Sequence, residues 1–131
     1  MRDSRSRPED AGADGATVSG DALTMLLEAF ASGALSGAAA CFATDATYQE
    51  AGRPPIRGRD AIAAWFEGFA ASGMTWRFTV DEVIRNASAA CIVYRFEIFG
   101  GSGEPQRERA GCALVRCDER GQVIAWREYQ G

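Results

Sequence analysis

Apolar positions follow two periods along this chain. From Asp21, the residues Leu23, Leu26, Leu27 and Phe30 fall three and four apart, which predicts a helix. Asp21 suits its N-cap and Gly33 its stop. A short second helix is expected over 35–42 and an extended segment over 44–50. Gly52-Arg53-Pro54-Pro55 reads as a turn, because proline cannot continue a ladder. A third helix is expected over 59–70, with Ile62, Trp65, Phe66 and Phe69 on one face. Four strand-like runs follow at 76–85, 89–99, 106–117 and 122–129. They are separated by Asn86–Ser88, Gly100–Gly103 and Asp118–Gly121, all rich in turn formers. Residues 1–19 are polar and lack periodicity, which predicts a disordered tail before a single domain at 20–131. The order predicts an α+β fold, with three N-terminal helices on one face of a curved antiparallel sheet.

The 89–99 run contains a charge anomaly. Arg95 and Glu97 lie two apart, hence on one face of a strand that is otherwise apolar. Charge is costly to bury unless it is paired or used. Glu128 lies in a similar setting in the last strand. Two acids and an arginine sharing a pocket would support acid/base chemistry. Val93 and Phe99 fall on the same side as Arg95, and they become expected pocket walls together with Trp126. Ile92, Tyr94, Phe96 and Ile98 then face outward, and an exposed apolar face of that kind predicts a homodimer through the outer sheet face.

Composition narrows the chemistry. The 131 residues include no histidine, and all 14 basic residues are arginine. Ser-His and Cys-His nucleophile pairs, Schiff-base lysines and His-ligated zinc are therefore excluded. General acid/base work falls to Asp, Glu, Tyr or Cys, and arginine serves only to orient groups and stabilise charge. Cys41, Cys91, Cys112 and Cys117 form no Cys-x-x-Cys pair, so no thiolate metal site is expected. No cofactor is implied. The net charge of −4 and the absence of a basic stripe give no reason to expect nucleic acid. No apolar run approaches membrane-spanning length. With no signal peptide, reduced cysteines and a cytoplasmic location are expected.

Three phrases, in this order, carry a family resemblance. They are Cys41-Phe42-Ala43-Thr44-Asp45-Ala46-Thr47-Tyr48, Arg57-Gly58-Arg59-Asp60-Ala61-Ile62 and Ala125-Trp126-Arg127-Glu128-Tyr129. From about Ala22 onward the chain resembles the nuclear-transport-factor-2-like superfamily of ketosteroid isomerases and SnoaL-like polyketide cyclases. That resemblance implies a cone-shaped sheet with helices on its concave face around an apolar pocket, and an apolar small molecule as ligand. The closest motif pattern is that of limonene epoxide hydrolase. Tyr48-Gln49-Glu50, Pro54-Pro55, Arg95-Phe96-Glu97 and Trp126-Arg127-Glu128-Tyr129 resemble its Tyr-Gln-Asn, Pro-Pro, Arg-x-Asp and Trp-Arg-Asp-Tyr. Carried over, Glu128 is the base that activates water, Glu97 the acid, Arg95 their bridge and Tyr48 a water ligand. Both aspartates read glutamate here, and the asparagine reads Glu50, a third carboxylate. Glu50 also falls near the ketosteroid isomerase base, but that family's oxyanion donors align with Leu26 and Ala113. Isomerase or cyclase chemistry and non-catalytic ligand binding stay open beside epoxide hydrolysis.

Overall fold

The computed structural model describes residues 21–99 and 105–130, with no side-chain detail at 105 and 106. The tail at 1–19 and the Gly100–Gly103 turn lie outside the described residues. Helix α1 spans Ala22–Ser32 and helix α2 spans Arg59–Ala71. The strands are β1 (Phe42–Gln49), β2 (Ile56–Arg57), β3 (Thr75–Arg85), β4 (Ala89–Phe99), β5 (Pro105–Cys117) and β6 (Val123–Gln130).

Helix α1 starts and stops where its sequence says it should. The Asp21 carboxylate accepts from Thr24 N at 2.8 Å, and Gly33 closes the helix in the left-handed region at φ 80°. Its stripe of Leu23, Leu26 and Phe30 is buried. In α2, Ile62 and Phe66 are buried, and Trp65 and Phe69 are partly so. The expected second helix is not an α-helix. Only Ala38–Cys41 coil, as a 3-10 turn, because Gly37 enters in the left-handed region and Phe42 is already extended.

The six strands form one sheet in the order β2-β1-β6-β5-β4-β3. It is curled, unclosed and mixed rather than purely antiparallel. The meander β3-β4-β5-β6 is antiparallel, but β1 pairs with β6 in parallel, Tyr48 opposite Trp126. The last strand returns beside the first, and everything between acts as the crossover that a parallel pair requires. A register shift between Val80 and Glu82 bends β3.

The alternation of β4 resolves opposite to expectation. Ile92, Tyr94 and Ile98 are buried, and Phe96 packs against the core. Cys91, Val93, Arg95, Glu97 and Phe99 therefore take the outer face. The physical reason is burial: four large apolar side chains gain more from the interior than a face interrupted by two charges. The face expected to mediate a dimer is thus the wall of the core.

Candidate functional site

The inner faces of the sheet and helices enclose a cavity of about 410 Å³. Aromatic rings from every side line it, including Phe30 of α1, Trp65 and Phe69 of α2, Trp76 of β3 and Phe96 of β4. Phe69 packs on Trp76 at 4.9 Å and on Phe96 at 6.3 Å between ring centroids. The Trp76 indole N–H donates to the Phe30 carbonyl at 3.0 Å, tying β3 to the end of α1.

Charged groups interrupt this apolar lining at few places. Glu50 and Arg53 sit in the turn after β1, Arg107 and Arg109 on β5, and Glu128 on β6. Strand register explains how the β5 and β6 groups meet. Arg109 lies opposite Phe96, Gly111 opposite Tyr94, and Ala113 opposite Glu128. With no side chain at Gly111, the Tyr94 hydroxyl lies close enough to the Glu128 carboxylate for each group to shift the other's pKa. Glu128 is 9% exposed, and its Oε2 accepts from Trp126 Nε1 at 2.9 Å. Arg109 Nη1 stands 3.9 Å from Oε1, an ion pair beyond hydrogen-bond range.

Burial raises the Glu128 pKa, and the Glu50 charge pushes the same way. The hydrogen bond from Trp126, the nearby Tyr94 hydroxyl and the charge of Arg109 oppose the rise without cancelling it. Tyr48 is 6% exposed, and its ring stacks with Trp126 at 6.3 Å. Burial first, then the charges of Glu128 and Glu50, holds its hydroxyl protonated well above the ordinary range. Tyr94 is raised for the same leading reason. Two neutral phenols and a buried carboxylate therefore meet at one end of an apolar cavity. Glu50 lines it too, held by Arg53 at 3.4 Å, while the Arg53 guanidinium lies 5.6 Å from the Trp65 ring centroid.

Of the residues singled out by sequence, Glu128, Tyr48 and Glu50 come together here. Trp126 supports the site from behind rather than lining it, fully buried against Phe30 and Tyr48. Arg95, Glu97, Val93 and Phe99 do not reach the cavity. Arg95 forms a two-pronged pair with Asp81, at 3.2 and 3.1 Å, on the outer face. Glu97 meets Arg77 at 3.5 Å, and Arg77 lies over Phe99 at 5.3 Å. Outer-face ion pairs thus account for the charge anomaly of β4.

Sequence reasoning missed Tyr94 and Arg109. A signal existed for Tyr94, since Ile92, Tyr94, Phe96 and Ile98 make the more apolar face, which belongs inside. Arg109 was legible only once β5 was placed beside β6, because its partner is 19 residues away.

A curled mixed sheet folded around a pocket with one buried carboxylate defines a small ligand-pocket protein of the nuclear-transport-factor-2-like type. The family model confirms that class: the chain belongs to the SnoaL-like domain family, matched over residues 23–126. No curated protein matches the chain significantly. Among the described residues, no helix is long and apolar enough to cross a membrane.

Proposed function

We propose that this protein is a cofactor-free enzyme that moves a proton on an apolar carbonyl compound, an isomerase- or cyclase-like reaction with Glu128 as base. One observation carries this reading: a cavity lined mostly by aromatic and apolar side chains holds a buried carboxylate whose basicity is raised by its burial. Glu128 takes a proton from the carbon beside the carbonyl, and the electron pair passes to the carbonyl oxygen. Arg109 and the neutral Tyr48 hydroxyl supply positive charge and a hydrogen-bond donor for that enolate. Isomerisation returns the proton at another carbon; in cyclisation the enolate carbon instead attacks a second carbonyl, whose π electrons move to its oxygen, and that alkoxide takes the proton back from Glu128.

Epoxide hydrolysis by the pair Glu97 and Glu128 has less support, since Glu97 lies across the sheet from the cavity. Glu50 is the second pocket-lining carboxylate among the described residues, and its contact with Arg53 favours a rim role.

The test is hydrogen exchange at carbon. Bicyclic β,γ-unsaturated ketones and aryl 1,3-diketones are incubated in D2O and followed by proton NMR, beside cyclic terpene epoxides followed for diol. Wild type should speed exchange of a ketone above the buffer rate, and Glu128→Gln should return it to that rate. Ketones that bind without accelerated exchange would leave a binding protein, and diol formation would restore the hydrolase reading.

We also propose a homodimer through the outer sheet face, now with different residues. Val93, Cys91, Cys112 and Leu114 are partly buried at its centre, and Ile84 is 60% exposed beside them. Light scattering should give twice the 14.0 kDa chain mass for wild type, and about the single-chain mass for Leu114→Glu. A monomeric wild type at micromolar concentration contradicts the dimer.

A further inference from the structure

The cationic side of the cavity is more than the catalytic site needs. The chain as a whole carries net charge −4, yet the cavity lining holds three arginines against two carboxylates. One of those carboxylates, Glu128, has its pKa raised by burial. Arg53 has an assigned place, against Glu50 and over Trp65. Arg109 is 15% exposed and reaches Glu128 only at 3.9 Å, so a guanidinium with five donors points into an apolar cavity with one distant acceptor among the described side chains. Arg107 follows on the same face of β5, ~7 Å further along the strand. It lies opposite Ile98, in the row that ends at Trp76, and is exposed where Arg109 is half-buried. The two arginines thus make a short cationic ladder that runs from the solvent-exposed rim to the carboxylate.

We infer that the ligand is an amphiphilic organic acid. Its rigid apolar body fills the aromatic chamber. Its carboxylate is held at the rim by Arg107, within the field of Arg109, and its reacting carbon lies about one strand repeat deeper, at Glu128. The inference rests on the proton-transfer reading for the identity of the reacting end, but not for the charge preference. Arginine fits the task because its planar fork takes a carboxylate in two hydrogen bonds. The rim position also explains why the acid does not meet Glu128 head-on: the ladder separates the two negative charges with positive ones.

The test uses a matched trio of fluorescent probes on one apolar body: pyrene-1-carboxylate, its methyl ester and pyrene-1-methylammonium. Fluorescence titration should show the carboxylate binding at least ~10-fold tighter than the ester, and the ammonium weakest, as a tenfold preference corresponds to about 1.4 kcal/mol. Arg107→Gln, at an exposed position where folding is little affected, should bring carboxylate and ester within about two-fold of each other while leaving ester affinity unchanged. Arg109→Met should shrink the preference too. Glu128→Gln should keep or strengthen the carboxylate preference while it abolishes carbon-hydrogen exchange, which separates this inference from the catalytic one. Equal binding of carboxylate and ester by wild type, or a preference unmoved by Arg107→Gln, overturns it. Failure of all three probes to bind overturns it together with the pocket reading.

Discussion

At the scale of single residues, the site depends on Glu128 being buried yet hydrogen-bonded. That arrangement has a measurable thermodynamic consequence. An acid whose pKa is higher in the folded than in the unfolded chain binds more protons when folded. Its contribution to stability is therefore fullest below the unfolded value, close to 4.5, and is lost as pH rises through the folded value. Glu128→Gln removes that dependence and nothing else that titrates. Thermal melts should accordingly show wild type losing ground to Glu128→Gln as the pH rises above about 4.5. A wild type that gains on the variant over that interval would mean that Trp126, Tyr94 and Arg109 outweigh burial. On the outer face, Arg95→Met and Glu97→Gln should leave turnover and probe affinity within about two-fold of wild type. Arg95 faces solvent and holds Asp81, whose carboxyl it lowers by hydrogen bonding, and exposed pairs of this kind do little for the rest of the fold.

At the scale of elements, the sheet brings the site together by register. Glu128 and Arg109 face inward because β6 and β5 alternate in phase with Trp126 and Val115, both fully buried. Gly111 is the hinge of the arrangement, since a Cβ there would collide with the Tyr129 carbonyl oxygen. Gly111→Ala should therefore cost about 1–3 kcal/mol in denaturant unfolding, the range of an overpacked interior. An unchanged midpoint would show that β5 and β6 can part without loss. The same elements show what the sequence makes legible. Asp21, Gly33 and the Leu23–Leu26–Phe30 stripe define α1, because caps and a 3.6-residue period are local. The four strands of the meander are separated by turn formers and could be read to within a residue, whereas the two-residue β2 was too short to leave a pattern and was not expected. The face of β4 needed a comparison of its two alternating sets, and the more apolar one wins the interior. The parallel pairing of β1 with β6 could not be read locally, because the partners lie about 80 residues apart and no periodicity reports on a distant neighbour. For the site, Glu128 was legible because its flanking strand is apolar, whereas Tyr48 and Glu50 came from the resemblance to limonene epoxide hydrolase. Arg109 was not, because charge on β5 has no meaning until its neighbour is known.

At the scale of the whole molecule, the curled sheet does two jobs with its two faces. The inner face builds an aromatic chamber with a carboxylate at one end and arginines along one wall. The outer face neutralises its charges in surface pairs around a partly buried apolar strip. Under the proposed function and the proposed dimer, this division separates proton transfer from assembly, so Leu114→Glu should split the dimer without emptying the chamber, and the probe trio should rank the same in both forms. Under the proposed function, proton transfer belongs to the inner face. The most direct measurement is the carbon-hydrogen exchange rate of a bound ketone in wild type, Glu128→Gln and Glu97→Gln, side by side. Glu128→Gln should lose at least ~100-fold, with ketone affinity kept within a few-fold, and Glu97→Gln should change the rate by no more than two-fold. Exchange that survives Glu128→Gln, or that disappears in Glu97→Gln instead, would contradict it.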